Sequence, residues 1–213
     1  MEKIDLMQAA QNEYFNQIYV EGRVSSIIKS NDKYFRNFFV KTRDAKGGLH
    51  DLRLFVPAKN LSGLTLEKGD HISVNGEIHS HNLENPYVGA KMVVSLFSQD
   101  VKKLREEECD DTINQGVFVG YLCKKPFIKH MGDEVITEST LGVTDYKRHR
   151  SYKIPFVVYG ENAELLKAVC EIGDRVAIGG YFQSRKFPKK IDESLTITKK
   201  TFEVAATELE ILR

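Results

Sequence analysis

Tryptophan is absent from this chain, and only three cysteines and five prolines occur among its 213 residues. Cys109, Cys123 and Cys170 are odd in number and widely spaced. That pattern offers neither a disulfide framework nor a zinc knuckle and fits reduced thiols in a reducing compartment. Net charge is nearly lacking too: Lys+Arg number 31 and Asp+Glu 30, which leaves a formal +1. No global field announces a nucleic-acid partner, so any basic binding surface must be local. No apolar run approaches a membrane span, and residues 1–10 lack the pattern of a secretory signal, so a cytoplasmic location is expected. There is no Gly-rich phosphate loop, nucleophile elbow or metalloprotease helix. The chain is therefore not expected to be an enzyme, and nothing in it calls for a cofactor. His79 and His81 project to one side of a strand, but no third ligand lies near them in sequence. They read as exposed histidines and not as a metal site.

What the chain does have is β signal. Short runs rich in Val, Ile, Tyr and Phe alternate with Gly, Asn, Asp and Lys. Five strands are expected at 17–28, 34–42, 49–56, 71–80 and 90–98. Five more are expected at 116–123, 135–144, 152–159, 175–185 and 199–212. In residues 161–170, Leu165, Leu166 and Val169 recur at helical spacing, which predicts a short amphipathic helix after the third strand of the second set. Residues 58–66 occupy the same slot in the first set, where Ser62-Gly63 weakens the helical signal. Residues 1–15 could add an N-terminal helix. Between the sets, Arg105-Glu106-Glu107-Glu108-Cys109-Asp110-Asp111 reads as a solvated linker. An acidic metal cluster is disfavoured there, because neighbours in an extended run point apart.

The two sets resemble each other. Gly69-Asp70-His71-Ile72-Ser73-Val74-Asn75-Gly76 echoes Gly173-Asp174-Arg175-Val176-Ala177-Ile178-Gly179-Gly180. Leu54-Phe55-Val56 with Asn60 echoes Phe156-Val157-Val158 with Asn162. A repeat of about a hundred residues means two copies of one domain, since solenoid periods are shorter. Five strands with a helix between the third and fourth is the order of the OB-fold. The expected architecture is all-β: two tandem five-stranded OB barrels, with residues 1–104 as the first domain, 105–114 as an acidic linker and 115–213 as the second.

The second repeat carries a family pattern. Ile154-Pro155-Phe156-Val157-Val158-Tyr159-Gly160-Glu161-Asn162-Ala163-Glu164 resembles the strand-three-to-helix segment of bacterial single-stranded DNA-binding proteins. Gly173 to Gly180, followed by Ser184-Arg185-Lys186-Phe187, resembles their fourth strand, and Gly116-Val117-Phe118-Val119-Gly120-Tyr121-Leu122 their first. The first repeat matches only in outline. The resemblance implies non-catalytic binding of single-stranded DNA in replication, repair or recombination, in a nucleoid-associated protein. It implies that Tyr159, Phe187 and Tyr146 stack on bases. Lys153 departs from it, standing where the family has another aromatic. The family's acidic tail with a terminal Phe is also missing at Glu210-Ile211-Leu212-Arg213. Replication or repair proteins remain candidate partners, but recruitment through such a tail is not expected.

The period of two along strands supports the same face without the family. Ile154, Phe156 and Val158 share one side of a strand, Lys153 and Tyr159 the other. Val176, Ile178 and Phe182 share one side of the next, while Tyr181, Gln183 and Arg185 share the other and Phe187 continues it. The second side mixes aromatics with cations, which suits single strands: rings stack on any base and cations follow phosphates. The bland alternative is rings packed under loops. The candidate binding residues are Tyr146, Lys147, Arg148, Arg150, Lys153, Tyr159, Tyr181, Arg185, Lys186 and Phe187. In the first repeat the corresponding positions are Pro57 for Tyr159, Leu83 for Phe187, Glu77 for Tyr181 and Asp51 for Lys153, so that face should bind nucleic acid poorly. It is free to serve oligomerisation or a protein partner. Arg23, Lys33, Tyr34, Arg36, Lys41 and Arg43 could form a displaced site, although packing explains the aromatics there equally well. Two other readings stay open: an OB-fold interaction or replication-accessory module with weak nucleic-acid affinity, and single-stranded RNA binding. Because the family usually presents four barrels, a two-barrel chain is expected to form a homodimer.

Overall fold

The computed structural model describes residues 5–29, 32–44, 47–85, 89–132, 134–146, 148–190 and 196–212. The chain is all-β. Its strands are β1 (Phe15–Ile28), β2 (Phe35–Arg43), β3 (Leu49–Pro57), β4 (His71–Asn85), β5 (Gly89–Leu104), β6 (Asn114–Met131), β7 (Glu134–Asp145), β8 (Arg150–Tyr159), β9 (Arg175–Lys190) and β10 (Thr196–Leu212). Each of the ten expected runs is a strand. The β4–β5, β6–β7 and β9–β10 hairpins reach well past the apolar runs that announced them, because backbone pairing continues after side-chain alternation stops.

Pairing closes on itself twice. In the first half, β1 pairs with β2, β2 with β3, β3 in parallel with β5, β5 with β4, and β4 with β1. The second half repeats the scheme: β6 with β7, β7 with β8, β8 in parallel with β10, β10 with β9, and β9 with β6. An antiparallel β1–β6 ladder joins the two closed rings into one ten-stranded sheet. Inward residues such as Ile18, Leu54 and Ile78 from the first ring and Phe118, Ile154 and Phe182 from the second belong to one contiguous buried cluster.

The rings are related by an approximate two-fold axis. Ile18 pairs with Gly76 in the first ring, and Gly116 with Gly180 in the second. Gly76 and Gly180 close the repeated motif, so Ile18 and Gly116 are equivalent, and they face each other across the β1–β6 ladder. The same hydrogen bonds are then made once in each direction. The Lys153 N–H donates to Ser80 Oγ at 2.7 Å, and that of Asp51, the matching residue, to Ser184 Oγ at 3.2 Å. Gly76 and Gly180 also share a constraint: a Cβ would stand 2.2 Å from the Phe97 carbonyl oxygen at one and 2.1 Å from that of Ala205 at the other.

Helices are few. Helix α1 (Leu6–Ala10) is capped by Asp5, whose carboxylate accepts from the Met7 and Gln8 N–H groups at 2.7 and 3.2 Å. Its Ala9 packs on Val117, Val119 and Ala177. Helix α2 (Glu161–Val169) follows β8 and buries Ala163 and Leu166. The matching slot of the first half holds only a 3-10 turn, Ala58–Leu61, and the chain then bends through Gly63 at φ 78°. The acidic segment is exposed from Arg105 to Glu108 and half-buried at Cys109 and Asp111, and it is not a loose tether. Glu106–Glu108 form a 3-10 turn. Beyond it, Asp110 N–H donates to Glu21 at 2.9 Å, and Arg43 N–H to the Asp111 carbonyl at 2.6 Å. Among the described residues no helix is long and apolar enough to cross a membrane.

Candidate nucleic-acid interface

Directly opposed residues on paired strands share a face, so the registers define the outer surface of the second ring. One row runs Tyr181 to Ala205 to Val157 to Glu138 to Phe127, crossing β9, β10, β8, β7 and β6. A neighbouring row joins Tyr159, Ile136 and Lys129, and Lys153 stands beside Gly142 on the same side. The inward set is buried as alternation predicts: Ile154, Phe156, Val158, Val176, Ile178 and Phe182 are each 0–1% exposed.

Tyr159, at the end of β8, is 36% exposed. Partial burial raises its hydroxyl pKa, so the ring stays neutral. Carboxylates surround it: Glu134, Glu161 and Glu164 line the adjoining hollow. Tyr181 is half-buried, with its ring 5.9 Å from that of His50 in the first half. Desolvation pushes its hydroxyl up to about 12. Tyr146 is 52% exposed and meets Tyr14 edge-on at 5.8 Å.

The cations divide into two groups. Arg185 is half-buried and engaged by carboxylates of its own ring. Its Nε donates to Glu203 Oε1 at 3.0 Å, and its Nη2 donates to Glu203 Oε2 at 3.2 Å and to Glu138 Oε1 at 3.1 Å. This fork spends its charge on two carboxylates. Arg148 reaches across to the first ring, with Nη1 2.9 Å from Glu77 Oε2 and 3.0 Å from Asp145 Oδ2. Arg150, Lys153 and Lys186 are exposed, and none has a carboxylate partner among the described residues. Lys147 lies outside the described residues, as does the Phe187 side chain. The Phe187 backbone pairs with Lys199 in the β9–β10 hairpin.

Two readings are corrected. Gln183, placed with the exposed set by alternation, is 7% exposed because its amide donates to buried Glu203 at 3.1 Å. His79 is not an exposed histidine. Its ring is sandwiched between Tyr152 at 3.9 Å and Phe97 at 4.3 Å, and its Nε2 lies 2.8 Å from Glu77. The first ring's face is likewise occupied. Glu77 takes Arg148, and Asp51 takes the Lys200 ammonium at 2.8 Å. Sequence reasoning overlooked Phe127, which is 55% exposed at the far end of the Tyr181 row. The available signal was an aromatic among lysines, Lys124-Lys125-Pro126-Phe127-Ile128-Lys129.

No protein-family model and no curated protein matches the chain. Solved structures do. The wild-type single-stranded DNA binding protein from Thermus aquaticus is similar at a TM-score of 0.73 and 16% identity, over 95% of this chain and 95% of that one. A deletion mutant of that Thermus aquaticus protein is similar at 0.72 and 16%, over 94% and 96%. With similarity extending over 95% of both chains, this chain has the fold of the Thermus aquaticus single-stranded DNA binding protein.

Proposed function

We propose that this protein binds single-stranded DNA non-covalently and without strong sequence preference, in replication, repair or recombination. On this reading each closed ring is an OB barrel, residues 105–114 connect them, and the protein belongs to the bacterial single-stranded DNA-binding family. The observation that carries it is the outer face of β8, where the 36% exposed ring of Tyr159 shares one side with exposed Lys153, which has no ion-pair partner among the described residues. Exposed Lys186 on the β9 hairpin adds charge. An aromatic surface with nearby cations is what a single strand uses, and each stacked base contributes about 1–3 kcal/mol. The first ring is assigned a structural role, because Glu77 and Asp51 turn its matching positions into contacts with the second.

A second reading, an interaction module with weak nucleic-acid affinity, is favoured by the internal pairing of Arg148 and Arg185 and by the carboxylates around Tyr159. Titration of the full chain against single-stranded DNA, duplex and RNA at several salt concentrations separates the two. The DNA reading expects a preference for DNA single strands and a log-affinity slope against log salt of about −0.7 per phosphate contacted. Tyr159→Ala is expected to weaken binding by about 1–3 kcal/mol with unchanged melting. Absence of binding to every nucleic acid selects the interaction module.

The assembly follows from the same reading. A chain with two barrels reaches the four typical of the family as a homodimer, and closed two-fold symmetry is the commonest solution. Sedimentation at micromolar concentration is expected to give twice the 24.3 kDa chain mass. A single species at 24.3 kDa throughout that range rejects the dimer.

A further inference from the structure

The extension of β6 is bent out of register. Lys124 pairs with Thr140 and Phe127 with Glu138, so three steps on β6 match two on β7. Pro126 lies inside this stretch and has no N–H to give the ladder, which is where strands tolerate a bulge. The bulge buries Pro126 and turns Lys124, Lys125 and Phe127 outward. Phe127 is left 55% exposed. An exposed phenyl ring in a strand gains nothing from water, and here neither α2 nor β7 closes over it.

The surroundings are cationic. Lys124, Lys125, Lys129 and Lys167 line an open groove with Pro126, Phe127 and Glu138. The Lys129 ammonium sits 5.7 Å from the Phe127 ring centroid and 2.7 Å from Glu138. Lys125 pairs with Glu171 at 3.1 Å. Lys124 and Lys167 make no ion pair among the described residues. The groove therefore holds a local positive excess in a chain whose formal net charge is only +1. An open π-face beside uncompensated ammonium groups is complementary to a base followed by its phosphates, and an uncharged apolar partner would leave those ammonium groups unused.

We infer that the Phe127 groove is a second contact for single-stranded DNA, with a base stacked on Phe127 and the backbone running past Lys124 and Lys167. This rests on the single-stranded DNA reading above and extends it. Phe127 ends the row of outer-face residues that begins at Tyr181 and passes Glu138. The outward positions Ala205, Val157 and Ile136 are buried, at 0%, 3% and 4%, so the accessible route from Tyr159 on β8 to Phe127 on β6 runs past half-buried Glu138 and Lys129.

The test is equilibrium titration of the full chain with fluorescent oligo-deoxythymidine at several salt concentrations, with melting recorded for each variant. Phe127→Ala is expected to weaken binding about tenfold. Phe127→Tyr keeps a stacking face and is expected to restore affinity. Lys124→Ala with Lys167→Ala is expected to flatten the log-affinity slope by about 1.4, at about 0.7 for each phosphate that is no longer neutralised. If the unaltered chain binds and Tyr159→Ala weakens it while the Phe127 and lysine variants bind like the unaltered chain, the groove is overturned and the DNA reading stands. If the unaltered chain binds no single strand, both fall together.

Discussion

Phe118→Ala is expected to lower stability by about 3–5 kcal/mol, the range for emptying a buried aromatic site. The side chain is 0% exposed in the middle of β6. Its strand neighbours are Ile178 on β9 and Asn16 on β1, so it sits where the two rings meet. The ring lies over Gly116, where a Cβ would come within 2.7 Å of the Phe118 Cζ. Gly116 has no side chain with which to fill the space the ring would leave. Domains of this kind keep only about 5–15 kcal/mol in total, so the variant should melt far earlier in urea. A midpoint shift worth less than about 1 kcal/mol would show that the ring is not part of the shared core.

Asn114→Ala is expected to cost about 2–6 kcal/mol, from two buried backbone groups at about 1–3 each. β6 leaves the β9 ladder near this residue, and the side chain takes over the pairing. Its Nδ2 donates to the Phe182 carbonyl at 2.7 Å, and its Oδ1 accepts the Phe182 N–H at 3.0 Å. Nδ2 also lies 3.3 Å from the hydroxyl oxygen of buried Thr42 in the first ring. Asn16 makes the same two-way bond to Ile78, at 2.9 Å in each direction. Asn16 is less buried and, among the described residues, has no counterpart of the Thr42 contact, so Asn16→Ala is expected to cost less. Equal losses in parallel urea titrations of the two variants would contradict this ordering.

The strands were legible because alternation of side chains records which face is inward, as in Ile154, Phe156 and Val158. The repeat was legible from Gly69–Gly76 and Gly173–Gly180. What could not be read was anything that joins residues far apart in sequence. Asn16 and Asn114 look like ordinary polar residues at strand starts until Ile78 and Phe182 stand opposite them. His79 looks exposed until Phe97 and Tyr152 arrive on either side of its ring. Of the candidate site, the Tyr159 and Lys153 side was readable from periodicity alone. The capture of Arg185 by Glu203 and Glu138 was not, because those carboxylates come from β10 and β7. Phe127 escaped because a bulge, not strand alternation, sets its direction.

The approximate axis through Ile18 and Gly116 changes what a single substitution can do. When identical subunits associate about a true axis, every off-axis contact is written twice, and so is every change to it. In this chain the two copies of a contact are encoded separately: the Lys153–Ser80 and Asp51–Ser184 bonds are kept on both sides, while other contacts have diverged. Arg148 meets Glu77, whereas the mirrored place puts Tyr181 near His50. Asp51 and Lys153 occupy matching positions with opposite charge. One half can therefore turn its surface toward holding the other, while its sibling keeps an edge open to solvent. Neither alteration is copied onto the opposite side, so structural duty and binding duty can diverge within one polypeptide.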